Sequence, residues 1–525
     1  MVEYDVVLLN GRVMDPETMY DKISNVGITE DRIAVITKDQ ISGKTTIDCT
    51  GHVVSPGFID THVHWIYPLG SHISVLDGRT SIFELEYGCA GSKVDEWYKS
   101  REGKLYCNYG TGSSHEHARA AVLDGFTPAY GDGLDGIKLR GGGSGWSSVK
   151  PDFDQLDKIL EIVDLGLQAG AVGVSSTLGY MRDGVSSREA FELVKVGAAY
   201  NRPTAMHFRG TPGTEVAEVN GIQELLCNAV AMGAPAIACH FNNPGYNLVH
   251  EMICRLQEQG HNVWGEIYPY AAGATTINAV FLRPEIWVEQ VGHKYEDTLQ
   301  DAETGTFYTK ESYVAMREKN PTKLVNVFKM PEECEKEWIQ LRNATVASDG
   351  MPIVVAPFAE SDVLDVPYAD FPNTHPRLAG TYSKSLRLAR ENNVPLMHMI
   401  SMCSYTSAMR LGKTGLKSMA ERGRIQVGKI ADITVFNPDT VTDNSTYASG
   451  SLPPTGIPYV LCNGRLVVNE GKIVPKAYVG RPLRHEPISR RLSEPLDIEK
   501  WKHVYTTAAK VDFGGSDPNQ SFCCP

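Results

Sequence analysis

Apolar and polar positions along residues 1–55 form short runs broken by turn signals. Tyr4-Asp-Val-Val-Leu-Leu is followed by Asn10-Gly11, and Ile33-Ala-Val-Ile lies further on. Asn-Gly between apolar runs predicts a hairpin, because both residues accept the positive φ of a tight turn. The same signature returns near the other end. Ala431-Asp-Ile-Thr-Val-Phe reads as a strand, and Tyr459-Val-Leu-Cys, Asn463-Gly464 and Arg465-Leu-Val-Val read as a hairpin, with Gly471-Lys-Ile-Val after it. Residues 1–55 and 425–484 are therefore expected to form one small β-sandwich from both chain ends.

Between them, strand-like runs alternate with helical patterns. Val53 to Thr61, Thr80 to Glu86, Gly170 to Ser176, Pro203 to His207, Ala234 to His240, Asn262 to Tyr268 and Ala344 to Asp349 read as strands. Asp154 to Ala169 repeats Leu156, Ile159, Leu160, Val163 and Leu167 on one helical face. Ser186-x-x-Glu189 is a capping-box pattern opening another helix. Strict alternation of this kind predicts an α/β fold, here a (β/α)8 TIM-type barrel over residues 56–424. Residues 283–343 are polar and long for a barrel connection, and are expected to be a helical insertion beside the site. Residues 485–525 form a C-terminal extension. The loop Gly131 to Gly145 is glycine-rich without a phosphate-loop pattern and is assigned no ligand.

Composition narrows the function. The chain has 525 residues, enough for two or three domains, with 42% hydrophobic and 22% charged residues, as in ordinary globular proteins. A net charge of −13 argues against a nucleic-acid partner. No apolar run is long enough to cross a membrane, and the start lacks the pattern of a signal peptide. The 11 cysteines include no Cys-x-x-Cys pair, which favours reduced thiols and a cytoplasmic location. Cys523-Cys524-Pro525 does not match a prenylation pattern.

Candidate chemistry begins at His62-Val63-His64. Residues two apart on a strand share a face, so both imidazoles are expected to converge from one strand end. In barrel enzymes the chemistry sits at the C-terminal ends of the strands. His207, His240 and Asp349 also close predicted strands. Four imidazoles and a carboxylate in such positions make a nitrogen- and oxygen-donor set suited to Zn²⁺.

Pro56-Gly-Phe-Ile-Asp-Thr-His-Val-His64 resembles the first barrel strand of the amidohydrolase superfamily. Over nearly the whole chain the pattern resembles the N-acyl-D-amino-acid deacylases, or D-aminoacylases. The matching pieces are Gly170-Ala-Val-Gly-Val-Ser-Ser-Thr-Leu-Gly-Tyr180, Met206-His-Phe-Arg-Gly, Ile267-Tyr-Pro-Tyr-Ala-Ala-Gly, Ala347-Ser-Asp-Gly and His375-Pro-Arg-Leu-Ala-Gly-Thr. The resemblance implies that His207 and His240 bind a tightly held zinc, that His62 and His64 border a second position, and that Asp349 is the general acid/base. One or two zinc ions and a small-molecule N-acyl amino acid are the implied cofactor and partner.

The sequence departs from the family at the second strand. The family generally carries a cysteine ligand there, whereas this chain reads Thr80-Ser-Ile-Phe-Glu-Leu-Glu-Tyr-Gly-Cys. Glu-Leu-Glu resembles a subgroup acting on N-acyl-D-glutamate. Glu84 and Glu86 share a face and Glu86 lies nearer the strand end, so Glu86 is the preferred ligand, with Glu84 and Cys89 as competitors. No lysine occurs in Ala171 to Thr177, which leaves the carbamylated-lysine bridge of hydantoinase-like relatives without a donor.

Tyr180, Arg377 and Tyr270 lie in family-like segments and are candidates to hold the substrate α-carboxylate. Arg209, with Arg182 and Lys138 behind it, is the candidate for an acidic side chain. Many relatives have His-His-Lys at the sixth strand where this chain has His240-Phe241-Asn242. The expected activity is hydrolysis of N-acyl-D-amino acids, in particular N-acyl-D-glutamate. A cyclic amidase of dihydroorotase or hydantoinase type and a non-catalytic scaffold with the same fold are the competing readings.

Overall fold

The computed structural model describes residues 3–181, 184–210, 219–352 and 367–509. Eight parallel strands run in chain order around the central domain: Phe58–Asp60, Arg79–Cys89, Asn108–Ser114, Val174–Ser176, Thr204–Met206, Ala236–Ala238, Val263–Ile267 and Thr345–Val346. Ile59, Phe83, Leu85, Ala205, Ile237 and Trp264, from five of these strands, form one buried apolar cluster. The helix Phe153–Gln168 opens on a capping box made by Asp152 and Gln155 and buries the apolar face read from its spacing.

The first and eighth strands meet beyond their regular ends. Val63 bridges Gly350 in parallel, and the His64 N–H donates to the Gly350 carbonyl at 2.9 Å. Beneath this seam lies Asp60. Its carboxylate accepts from the backbone N–H groups of His62 (3.2 Å) and Ser348 (3.0 Å) and from Arg79 Nη1 (3.0 Å). Asp60 and Arg79 are fully buried, and Arg79 reaches on to the Leu378 carbonyl of the helix Arg377–Glu391.

The third strand, Asn-Tyr-Gly-Thr-Gly-Ser-Ser, was not legible from hydrophobic pattern, yet every residue in it is buried. Its composition follows from crowding. A Cβ on Gly110 would meet the Phe83 ring at 2.5 Å, and one on Gly112 would meet Ser175 Oγ at 2.1 Å. Small residues are required where neighbouring strands approach this closely.

The two chain ends join into one nine-stranded sheet. The junction is Val53–Pro56 paired antiparallel with Ile433–Phe436. Val26, Ile28, Val54, Ile433, Val435 and Leu461 share a separate core there. The region expected to be a helical insertion is mixed. Ala272–Thr276, Leu324–Phe328 and Leu299–Asp301 form a three-stranded antiparallel sheet, accompanied by the helix Lys310–Lys319. The apolar run Leu-Val-Asn-Val-Phe explains the central strand, since it packs on both faces. The described part of the extension runs along the barrel: His485 N–H donates to Gly170, Ile488 N–H to Gln168, and Ser493 Oγ to Asp164.

Arg79→Met would leave Asp60 buried with no cation. Breaking a buried pair on one side costs about 3–5 kcal/mol. A clear fall in the urea midpoint is expected, and an unchanged midpoint would show that the seam does not depend on this pair.

Candidate metal centre

The regular first strand stops at Asp60, and His62 and His64 stand on the irregular backbone after it. Two carboxylates aim their rings. His62 Nδ1 lies 2.6 Å from Glu266 Oε1, and His64 Nδ1 lies 2.7 Å from Glu84 Oε2. A proton on each Nδ1 leaves the Nε2 lone pairs facing one another, 3.2 Å apart. Imidazoles oriented by carboxylates in this way are characteristic of metal sites. Burial pulls the His64 imidazole down, but Glu84 and Asp349 outweigh it and raise it to about 9. The site thus favours positive charge.

Glu86 stands between the two histidine pairs. Its Oε1 lies 3.3 Å from His207 Nδ1, and its Oε2 lies 2.7 Å from His240 Nε2 and 3.4 Å from His62 Nε2. Among the described residues Oε2 has no partner in hydrogen-bond geometry, although it is buried. Burial works against the Glu86 charge, but His62, His207 and His240 hold its carboxyl well below the usual range. His207 Nδ1 and His240 Nε2 are 3.0 Å apart. Burial lowers His207 to about 4, keeping it neutral and able to donate a lone pair.

Three groups of donor atoms result, each within 4.8 Å: His62, His64 and Asp349; Glu86, His207 and His240; and His62, Glu86 and Cys239. Nitrogen and oxygen donors in two adjoining sets, one containing an orphaned carboxylate oxygen, fit one or two zinc-type ions. The Cys89 thiol belongs to none of them. It is turned toward the Ala90 carbonyl at 3.6 Å.

Backbone strain accompanies these positions. His240 has φ 33° and Asp349 has φ 49°. Such conformations cost on the order of 1–3 kcal/mol and persist where surrounding structure imposes them. Here they turn the two side chains off the strand ends toward the cluster. Asp349 Oδ1 lies 3.0 Å from His64 Nε2, and Oδ2 lies 2.9 Å from Arg377 Nη1.

A cavity of about 310 Å³ opens over the cluster, and Tyr180 and Arg377 line it. Tyr180 bonds Thr275 Oγ1 at 2.8 Å. Two of the expected substrate residues lie elsewhere. Tyr270 is buried beneath the cavity wall, its hydroxyl directed to the Pro376 carbonyl at 3.4 Å. Of the Tyr268-Pro-Tyr270 segment, Tyr268 is the tyrosine that lines the cavity. Arg209 turns away from the cluster to Glu224, with Nε 2.9 Å from Oε2, and to the Val185 carbonyl. Lys138 is largely exposed near Asp135, and Arg182 lies outside the described residues.

Several contributors were not foreseen from sequence. Glu266 had a signal, as a lone carboxylate within the apolar strand Val-Trp-Gly-Glu-Ile. Cys239, next to His240, and Lys329, at the end of the inserted strand, had none.

The structure thus combines a parallel barrel, with imidazoles and carboxylates gathered at its strand ends, and a β domain built from both chain ends. No family model matches the chain. Over 510 residues it is 26% identical to an N-acyl-D-glutamate deacylase of Alcaligenes xylosoxydans xylosoxydans, covering 92% of this chain and 97% of the relative. A D-aminoacylase of the same organism is 24% identical over 497 residues, covering 89% and 95%. Among solved structures, the N-acyl-D-glutamate deacylase from Bordetella bronchiseptica, in complex with zinc and a phosphonate mimic of the tetrahedral intermediate, superposes with a TM-score of 0.71. Its identity is 21%, covering 92% of this chain and all of that one, and this likeness shows the fold. The resemblance to N-acyl-D-amino-acid deacylases thus extends along nearly the whole chain.

Glu86→Ala is expected to retain less zinc than wild type after dialysis, whereas Cys89→Ala retains its metal. Elemental analysis checks this. Loss only in Cys89→Ala would transfer the ligand role to the thiol.

Proposed function

We propose that this protein is a zinc-dependent hydrolase that cleaves the amide bond of N-acyl-D-amino acids, N-acyl-D-glutamate among them. The products are a carboxylate and the free D-amino acid. The observation that carries this reading is the convergence of His62, His64, Glu86, His207, His240 and Asp349 under one cavity that also exposes a buried arginine.

His207, His240 and Glu86 would hold one ion, and His62 and His64 would border a second position. A zinc ion held there would supply Lewis acidity, lowering the pKa of water toward neutrality and favouring charge on the amide carbonyl oxygen. The chain's own residues do the rest. Burial opposes the Asp349 charge, but Arg377 and His62 outweigh it and keep the carboxyl well below the usual range. Asp349 is therefore an anion at neutral pH, ready to take the proton from attacking water. The water oxygen bonds to the acyl carbon, the C–N bond breaks, and Asp349 returns the proton to the departing nitrogen. Arg377, beside Asp349, would fix the α-carboxylate, with Tyr180 on the opposite wall.

A cyclic-amidase reading requires a bridging lysine that the Ala171 to Thr177 segment lacks. The candidate bridge here is Glu86. A cytoplasmic location is supported by the described cysteines, none of which is paired. Among the described residues no helix is long and apolar enough to cross a membrane.

Zinc-replete protein is expected to hydrolyse N-acyl-D-amino acids in preference to their L-enantiomers. Hydrolysis of neither would overturn the proposal. Asp349→Asn preserves volume but cannot accept and return a proton. It should keep its metal and lose at least ~10²-fold in kcat, the lower range for general acid–base catalysis. A loss below about tenfold with unchanged metal content would exclude Asp349 as the proton carrier.

A further inference from the structure

Two aromatic walls lead away from the histidine cluster, and they differ in charge. On one side the His207 ring lies 4.7 Å from Tyr180, and Tyr180 lies 5.7 Å from Phe281. Arg140 stacks on Tyr180 at 3.9 Å, but both oxygens of Glu116 take up its charge at 2.9 Å. Ile286 and Trp287 continue this wall. It is apolar and electrically neutral.

On the other side the His240 ring lies 6.2 Å from Tyr268. Two cations flank that ring, with Arg377 Cζ at 4.8 Å and Lys329 Nζ at 6.0 Å from its centroid. Arg377 is matched by Asp349. Lys329 is not matched. It lines the cavity, and among the described residues it forms no ion pair. The lysines around it behave otherwise: Lys323 pairs with Asp301 at 3.3 Å and Lys384 with Glu335 at 2.7 Å. Burial, with Arg377 nearby, lowers the Lys329 ammonium to about 8. A half-buried cation without an anion is poorly compensated, and a ligand carboxylate in the cavity would offset that cost.

We propose that Lys329 is the specificity-determining residue that receives a second carboxylate on the amine side of the substrate, making the preferred substrate an N-acylated acidic D-amino acid. This rests on the deacylase reading above and goes beyond it. An amide has two sides, and the two walls sort them. The side carrying carboxylates faces Arg377 and Lys329, and the acyl group faces Tyr180 and Phe281. The inserted sheet thereby supplies a cation where the sixth strand has Asn242, while Arg209 is engaged by Glu224.

The test compares N-acetyl-D-glutamate with N-acetyl-D-glutamine, which differ in charge but hardly in shape. Zinc-replete wild type is expected to favour the acid in kcat/KM. Lys329→Met should lower the acid-to-amide ratio by about tenfold or more, the range for a hydrogen bond to a charged group. Lys329→Arg should recover part of the ratio. Inhibition by free D-glutamate relative to free D-glutamine should follow the same order. A ratio in Lys329→Met equal to that of wild type would overturn the assignment while leaving the deacylase reading intact. If Lys329→Met does not fold, loss of preference for the acid in Lys329→Arg below that of Lys329→Gln would overturn it instead. Wild type that hydrolyses neither compound would overturn the deacylase reading and this inference with it.

Discussion

Closure of the barrel at Asp60 is the constraint on which the rest depends. The first strand ends with His62 and His64 beyond it, and the eighth is the two-residue strand Thr345–Val346 with Asp349 beyond it. These ends are separated by most of the chain. Asp60 joins them by accepting from the backbone of both His62 and Ser348, and Arg79 neutralises it in a fully buried site. Side-chain positions at the metal centre are thereby fixed by backbone contacts one or two residues away. A buried pair is poor evidence for net stability, but it specifies one arrangement against others.

Electrostatic balance determines what the closed barrel can hold. Four imidazoles converge with Glu86 and Asp349, and Glu84 and Glu266 stand behind them. Carboxylates behind the His62 and His64 rings fix which nitrogen faces inward, and Glu86 faces both histidine pairs. The result favours cationic occupancy and explains why buried carboxylates are tolerated there. Positive φ at His240 and Asp349 belongs to the same design, since it re-aims both side chains where regular strand geometry would not.

Specificity is built from different material. The barrel strands carry the histidines, whereas Phe281, Trp287 and Lys329 come from the inserted segment between the seventh and eighth strands. Separating the chemistry from the cavity wall lets the wall vary while the rigid strand ends remain. Here the wall is apolar on the Tyr180 side and basic on the Tyr268 side, and the proposed orientation of the substrate rests on that asymmetry.

Local pattern determined much of this protein. Apolar alternation marked seven of the eight strands, Asn463-Gly464 marked the hairpin near the C-terminal end, and strand-final positions picked out His62, His64, His207, His240 and Asp349, whereas the hairpin expected at Asn10-Gly11 is instead a bulge inside the single strand Glu3–Asp15, where the register shifts between Leu8 and Gly11. These features were legible because periodicity and turn chemistry are properties of neighbouring residues. The third strand escaped, because Gly110 and Gly112 answer to crowding by Phe83 and Ser175 and not to hydrophobic pattern. Tertiary structure alone decided that Glu86 faces both histidine pairs while Cys89 turns aside, that Glu266 backs His62, that Arg209 leaves the cavity, and that Lys329 enters it. Each of these depends on which partner is brought close across tens or hundreds of residues. Charge and spacing along the chain do not encode that proximity; barrel closure and the packing of the inserted sheet do.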